Sequence, residues 1–316
     1  MNDKPKTIVG GLIRRVAIVA YLLAVVTLVA FLAKWHWIAD LLCNFRVQYV
    51  LLLALVLLIL ILVRRWKAVA VCTVCLVLNL STIWSYLPTK QPTYADKSLR
   101  IMCANVLSTN TNLEGMAATI DEANPHVVAI IEVSGKIADY FETNGEKYPY
   151  RHFIPRAGNF GIAIMSRVPL TKVETLESDP LHVPSYRIQF KPDETTYELI
   201  ATHPIPPMGS TSTLNRDNHL QQMAESFTQD DHRILMGDFN MTPWSPRFQG
   251  LLDEANLVDA AVGFGLRPSW VVFPTYLGGL RIDHILVSPS TQTLNHRIFD
   301  IPGSDHRAVV IDINPT

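Results

Sequence analysis

The apolar positions of the chain change their pattern near residue 90. Before that point they form three long runs without a charged side chain, at residues 16–33, 47–63 and 68–87. Beyond it, short apolar runs alternate with polar segments. Each long run approaches the roughly 20 residues that a helix needs to cross a bilayer, and a soluble helix is rarely apolar on every face. The pattern predicts three transmembrane helices within a membrane region of residues 1–89.

The basic residues predict how these helices are oriented. The N-terminal segment carries Lys4, Lys6, Arg14 and Arg15, and the loop between the second and third runs reads RRWK at 64–67. Because short cytoplasmic loops are enriched in Lys and Arg, both segments are expected in the cytoplasm. Three crossings place the remainder outside the cytoplasm, in the periplasm if the cell is Gram-negative. We expect a multi-pass protein of the cell (inner) membrane.

The rest of the chain predicts a linker and one α/β domain. Residues 90–97 belong to a polar stretch with two prolines, PTKQPTYADK, which is typical of a linker. In residues 98–316, apolar runs typical of strands alternate with segments of helical spacing at 112–125, 213–227 and 246–257. The predicted strands read LRIMCANV, HVVAIIEV, GIAIMS, YRIQF, YELIATH, RILMGDFN, RIDHILVS and HRAVVIDI. This alternation favours an α/β fold with functional residues at strand ends.

Polar residues stand where these strands end or begin. They are Asn105, Glu132, His203, Asp238, Asn240, Asp283, Asp305 and His306. Each alone is typical of a turn, but so many together are hard to explain by turn chemistry. Oxygen donors without cysteine suit Mg²⁺, with Mn²⁺ as a second possibility, and Glu132 could hold such an ion. With two histidines as candidate donors to phosphate, the set predicts cleavage of a phosphoester.

Charge is divided unevenly along the chain. Residues 1–89 carry nine basic and two acidic side chains, a net charge of +7, whereas the remainder carries a net charge of −8. An acidic domain repels polyphosphate chains, which disfavours non-specific binding of nucleic acid.

The motifs IMCANV, AIIEV, GIAIMSRVP, IATHP, LMGDFN, RIDHILVS and SDHRAVVIDI occur in the order seen in the endonuclease/exonuclease/phosphatase superfamily. The resemblance to this DNase I-like superfamily covers about residues 98–313 and is closest to its bacterial membrane-tethered members. It implies a four-layer α/β sandwich, two packed sheets flanked by helices.

The resemblance also implies a role for each matching residue. Glu132 would be the main Mg²⁺ ligand, with Asn105 contributing to the metal and phosphate environment and Asp305 beside the metal. Asp238 would align or deprotonate the attacking water, while Asn240 and His203 would each bind a phosphate oxygen. His306, oriented by Asp283, would act as a base or as an electrostatic stabiliser. Arg216, in the helix after the His203 loop, is a further candidate for substrate binding.

Three functions stay open on the sequence alone. The first is a Mg²⁺-dependent phosphodiesterase or phosphatase acting on a phospholipid or another phosphorylated envelope compound outside the cytoplasm. The second is a metal-dependent nuclease at the membrane, which the charge disfavours. The third is a membrane-anchored binding module without catalysis, which the complete set of polar residues argues against.

Overall fold

The computed structural model describes residues 4–93, 95, 97–271 and 278–314, with the side chains of the first helix described from Gly10 onward. The chain divides into two compact units. They are Met1–Ser85 with Trp244–Arg247, and Tyr86–Pro243 with Phe248–Thr316.

The first unit is helical. Its described helices are α1 (Lys4–Ala30), α2 (Trp37–Cys43), α3 (Arg46–Leu62) and α4 (Trp66–Ile83), and a short 3₁₀ helix follows at Trp84–Tyr86. Gly10–Ala30 and Trp66–Tyr86 are long and apolar enough to cross a membrane. Helices α2 and α3 qualify only as a pair, which is bent by 62°. Two or three apolar helices could therefore span a membrane, in the regions where three were predicted.

A polar network joins three of these helices. Arg46 of α3 donates from Nη1 to Asn79 Oδ1 of α4 at 2.9 Å, and Asn79 Nδ2 donates to Thr27 Oγ1 of α1 at 2.9 Å. All three residues are buried. Because a buried polar group without a partner is costly, the network favours one arrangement of the helices over others.

The described part of the second unit contains twelve strands and four helices. The strands are β1 (Leu99–Asn105), β2 (Val127–Ile131), β3 (Tyr150–Ile154), β4 (Ile162–Ser166), β5 (Leu170–Ser178), β6 (Val183–Phe190), β7 (Tyr197–Thr202), β8 (Arg233–Asp238), β9 (Val258–Asp259), β10 (Asp283–Val287), β11 (Thr293–Asp300) and β12 (Arg307–Ile313). The helices are α5 (Leu113–Ala123), α6 (Gly135–Asn144), α7 (Ser210–Glu225) and α8 (Pro246–Ala255).

The strands form two six-stranded sheets. The first has the order β11-β12-β1-β2-β4-β3 and the second the order β5-β6-β7-β8-β10-β9. Alternate residues of the central strands, such as Ile101, Ile164, Leu199 and Ile285, form one buried core. Since successive side chains of a strand point to opposite faces, this alternation means that the two sheets pack face to face.

Helices cover the outer face of each sheet. Met116 and Phe141, from α5 and α6, pack with the outward residues of the first sheet. Leu220 and Phe248, from α7 and α8, do the same on the second sheet. The order helix, sheet, sheet, helix confirms the predicted four-layer α/β sandwich.

The described residues of the polar stretch 88–97 make backbone contacts within the second unit. The amides of Thr89 and Lys90 both donate to the carbonyl of Gly263 at 2.9 Å, and the amide of Thr93 donates to the carbonyl of Leu294 at 2.9 Å. Residues 94 and 96 of this stretch lie outside the described residues. The boundaries of the linker stay predictions.

Candidate active site

Six strands bring predicted site residues to one end of the two sheets. In β1, β2, β7 and β8 the site residues lie at the carboxyl end of the strand or directly after it. Strands β10 and β12 run antiparallel to β8 and β1, so their site residues lie at the amino end or directly before it. The buried side chains delivered in this way are Asn105, Glu132, His203, Asp238, Asp283 and His306. The sheet register thus places residues up to about 200 positions apart beside one another.

Asn105 connects two of the carboxylates. Its Nδ2 donates to Glu132 Oε1 at 3.0 Å and to Asp238 Oδ2 at 3.3 Å. The second oxygen of Glu132 accepts a hydrogen bond from the amide of Ser108 at 3.1 Å. The carboxamide therefore fixes the separation of two acidic groups that belong to different sheets.

Asp238 lies between the two histidines. Its Oδ2 is 3.6 Å from His203 Nε2 and 3.7 Å from His306 Nε2. Its other oxygen accepts a hydrogen bond from the amide of Asn240 at 2.9 Å. Burial, followed by the nearby charge of Asp283, raises the pKa of Asp238 to about 7. This carboxyl can therefore exchange a proton near neutral pH.

Asp283 lies within hydrogen-bonding distance of His306, the residue that the resemblance pairs with it. His306 Nδ1 lies 2.8 Å from Asp283 Oδ2, and Asp283 is held in turn by its amide, which donates to Ser269 Oγ at 2.9 Å. Burial disfavours the charged imidazole, but the negative charge of Asp283, its hydrogen bond and the charge of Asp238 outweigh burial and raise the pKa of His306 to about 10. His306 is therefore a cation at neutral pH, with Nε2 directed toward Asp238.

His203 has a different environment. Its Nδ1 is 3.0 Å from the carbonyl of Asn159, and the ring of Phe160 packs against it at a centroid distance of 5.6 Å. Because only a protonated Nδ1 can pair with a carbonyl, Nε2 is the nitrogen left to face Asp238. Burial lowers the pKa of His203 despite the nearby carboxylates. The two histidines thus differ in charge.

The backbone around Asp238 explains the sequence Gly-Asp-Phe-Asn. A Cβ at Gly237 would lie 1.8 Å from the carbonyl oxygen of Thr202 on β7, so only glycine allows β7 and β8 to approach this closely. Asn240 has a positive φ of 53°, in the left-handed region that asparagine tolerates. The Asn240 side chain donates from Nδ2 to the carbonyl of Pro204 at 3.1 Å. The turn therefore fixes both Asp238 and the loop after His203.

The donor set suits a hard divalent cation. One ligand atom from each of Asp238, Asp283 and His306 lies within 4.8 Å of the others. Among the described residues, the buried Asp283 Oδ1 has no hydrogen-bond partner. Asp283 already pairs with His306 Nδ1. The carboxylates of Glu132 and Asp238, which Asn105 holds near each other, are therefore better placed than Asp283 and His306 to bind Mg²⁺ through oxygen. Ion binding by Glu132, Asn105, Asp238 and Asp305 stays a prediction.

We expect Mg²⁺ to raise the melting temperature of the full chain more at pH 8 than at pH 5. Folding raises the pKa of Asp238 from its ordinary 3.8 to about 7, so the protonated carboxyl stabilises the metal-free fold. This stabilisation is complete below pH 3.8 and is lost as the pH rises through about 7. A cation needs the deprotonated form and offsets the loss. At 100 times its Kd, an ion stabilises by about 2.7 kcal/mol. Thermal unfolding with Mg²⁺ or EDTA measures the effect, and an equal rise at both pH values contradicts it.

Two predicted residues have other partners in the structure. Asp305 is exposed, and its Oδ2 accepts a hydrogen bond from Trp270 Nε1 at 2.9 Å. It lines a cavity of about 280 Å³ together with His306. Arg216 is fully buried, and its Nη1 donates to the carbonyl of Asn240 at 3.2 Å. Arg216 thus supports the turn that carries Asn240, while substrate binding by it stays a prediction.

Several supporting residues were absent from the sequence-based set. Ser108, Asn159 and Ser269 hold Glu132, His203 and Asp283 respectively, as described above, and Ser304 Oγ donates to the carbonyl of Asn105 at 2.9 Å. All four lie in loops and act through hydrogen bonds to residues distant in sequence. Ser108, Asn159 and Ser304 lie close to strand ends, a signal that many other polar residues share, and Ser269 lies near the end of no named strand.

Comparison of the sequence with family models gives one assignment. Residues 102–306 match the model described as the Endonuclease/Exonuclease/phosphatase family, about two thirds of the chain. Among curated proteins, no sequence matches the chain.

Solved structures share the fold at low identity. D. rerio TDP2 in complex with single-strand DNA product is 18% identical with a TM-score of 0.58, over 69% of this chain and 100% of that one. The 3′ phosphatase NExo from Neisseria, bound to a product DNA hairpin, is 18% identical with a TM-score of 0.57, over 68% and 99%. Sphingomyelinase C from Streptomyces griseocarneus is 16% identical with a TM-score of 0.51, over 69% and 99%.

These structures support the DNase I-like fold, and the matched family model covers every buried site residue from Asn105 to His306. The chain belongs to the Endonuclease/Exonuclease/phosphatase family and is a hydrolase that acts on phosphate esters.

Proposed function

We propose that the chain is a Mg²⁺-dependent phosphodiesterase or phosphatase that acts on a phospholipid or another phosphorylated envelope compound outside the cytoplasm. The observation that carries the hydrolytic part is the position of Asp238, within 3.7 Å of both His203 Nε2 and His306 Nε2. A carboxyl that titrates near neutral pH, next to one cationic and one largely neutral imidazole, suits hydrolysis of a phosphate ester.

Each group of the site has a task in such a reaction. Asp238 aligns or deprotonates the attacking water, because its Oδ2 lies between the two histidines at the centre of the site. The cationic His306 donates a hydrogen bond from Nε2 to a phosphate oxygen as negative charge develops. The matched motifs assign phosphate oxygens to Asn240 and His203, and His203 can donate to one from Nε2 only when that nitrogen is protonated as well as Nδ1. Mg²⁺ at Glu132 and Asp238 would neutralise phosphate charge when bound.

Two features favour a lipid over a nucleic acid. Two or three helices could hold the chain in a membrane, which concentrates the site near lipid headgroups. Beyond residue 89 the net charge is −8, whereas binding of a nucleic acid rests on basic side chains that contact phosphates. The compared structures include both DNA complexes and a sphingomyelinase, so the fold is compatible with either substrate.

The proposed location follows from the basic residues at the helix ends. Of the RRWK loop, Arg64 and Arg65 lie between α3 and α4, and Lys67 lies in the first turn of α4. If this loop and the N-terminus are cytoplasmic, an odd number of crossings places the catalytic residues on the other side. The bent pair of α2 and α3 must then cross as one span.

Purified full-length protein in detergent tests the proposal. It is assayed on phosphatidylcholine and phosphatidylethanolamine vesicles and on single- and double-stranded DNA, with Mg²⁺, Mn²⁺ or EDTA. We expect release of a water-soluble phosphorylated product from lipid, supported by Mg²⁺ and abolished by EDTA. DNA cleavage much faster than lipid turnover would instead identify a nuclease, and equal activity in EDTA would contradict metal dependence.

A further inference from the structure

One segment of the second unit leaves the site at His203 and returns to it at Arg216. Residues 204–215 form a loop and the first turns of α7. At one end, the carbonyl of Pro204 accepts a hydrogen bond from Asn240 Nδ2 at 3.1 Å. At the other, Arg216 Nη1 donates to the carbonyl of the same Asn240 at 3.2 Å. Because both ends are fastened to one site residue, this segment, which we call the rim segment, borders the site.

The rim segment exposes large apolar side chains. Met208 is 81% exposed and Leu214 is 55% exposed. Among the described residues from 99 onward, these are the two most exposed large apolar side chains, and the others are Tyr150, Leu181 and Val258 at 37–46%. Single exposed apolar residues are ordinary, but the two largest exposures fall within seven positions of each other beside the site.

The charge of the rim segment restricts what can cover it. The sequence PIPPMGSTSTLN contains no charged side chain. Binding of nucleic acid, or of an anionic lipid surface, would rest on Lys and Arg, and the segment has neither. Apolar side chains among prolines and small hydroxyl residues, without charge, suit the headgroup and upper acyl region of a neutral bilayer. Met has an unbranched side chain that adapts to an irregular surface.

We infer that the rim segment is the surface by which the catalytic unit contacts a zwitterionic phospholipid bilayer, with Met208 and Leu214 inserted among the lipids. This contact brings headgroup phosphates beside His203, the residue that precedes the segment. The inference deepens the proposed function. It depends on that function only in taking the lipid to be the substrate. Contact with the bilayer itself can be measured without turnover.

The first experiment uses nitroxide spin labels on the full chain in phosphatidylcholine nanodiscs. The four natural cysteines are buried, so M208C and L214C can be labelled selectively, with the unchanged chain as the labelling blank. V258C is the matched control, because Val258 pairs with Val287 at the end of β10 that lies away from Asp283. We expect labels at 208 and 214 to be accessible to oxygen and shielded from a nickel chelate, and the label at 258 to show the reverse.

The second experiment compares substrates. The double variant M208S/L214S and the control V258S are assayed on phosphatidylcholine in vesicles and on soluble bis(p-nitrophenyl) phosphate. We expect the ratio of vesicle to soluble turnover to fall at least tenfold in the double variant and to stay unchanged in V258S.

The outcomes separate the two proposals. The inference is overturned if the nickel chelate reaches the labels at 208 and 214 as readily as the label at 258, even if lipid is hydrolysed. An unchanged turnover ratio in the double variant would also overturn it. Shielded labels without hydrolysis of any lipid would sustain bilayer contact and remove the lipid-hydrolase proposal.

Discussion

Replacing Asp238 with asparagine is expected to lower kcat/KM for phosphate-ester hydrolysis by about 10³-fold, within the range that loss of a positioned acid or base produces. Asparagine keeps the shape of the side chain but cannot take a proton from water or present a second anionic oxygen. The neighbouring histidines, 3.6 and 3.7 Å away, then lose the group that they face. Steady-state hydrolysis of bis(p-nitrophenyl) phosphate by the full chain, with saturating Mg²⁺, measures the effect.

Asp253→Asn is the control for this change. Asp253 is an exposed residue of α8, so the variant removes the same charge without touching the site. Thermal unfolding of both variants shows whether the fold is kept. A D238N protein with nearly full activity would contradict the assigned role. If a cellular effect of the protein were untouched by Asp238→Ala, the chain would act as a binding module without catalysis.

The sequence predicted which polar residues the fold brings together, because these residues stand at strand ends. Asn105, Glu132 and Asp238 each follow a short apolar run that is consistent with a buried strand. Each alone is typical of a turn, and it was their number at strand ends that indicated a site. The apolar runs do not predict which strands are neighbours in a sheet. Asp238 and Asp283 meet because β8 pairs with β10, and no periodicity within either segment encodes that pairing. The matched motifs supplied the missing information.

The strands that the sequence failed to predict have a common position. They are β3, β5, β9 and β11, which are the two edge strands of each sheet. An edge strand is covered by fewer neighbours, so its sequence mixes polar with apolar residues. In β5, LTKVETLES, most side chains are partly or fully exposed. The eight strands that were predicted are the inner ones, whose side chains are mostly or entirely buried, as in β6 and β7.

Prediction of the helical first unit had the same limit. The three apolar runs were visible, but the pattern did not predict the short helix α2 or the 62° bend between α2 and α3. Polar side chains that join helices were also hidden. Thr27, Arg46 and Asn79 look like isolated polar residues in sequence, and only packing brings them within hydrogen-bonding distance. Contacts between distant segments are what a single sequence specifies least directly.

Asp283→Asn is expected to lower kcat/KM by about 10²-fold, because the pair with Asp283 both orients His306 and keeps it protonated. The change should also alter how stability depends on pH. Asp283 contributes to a His306 pKa of about 10, above the ordinary 6.5. A raised pKa stabilises the fold fully below pH 6.5, and that stability is lost as pH rises through about 10. Asparagine removes much of this contribution.

Denaturant unfolding of both proteins in EDTA between pH 6 and pH 10 measures this difference. The unfolding free energy of the unchanged chain should exceed that of D283N most at pH 6, and the gap should narrow toward pH 10. Asp300→Asn is the matched control, because exposed Asp300 pairs with Arg307, directly after His306, without contacting the imidazole. A constant gap across this range, or an equal loss of activity in D300N, would mean that Asp283 does not act through the charge of His306.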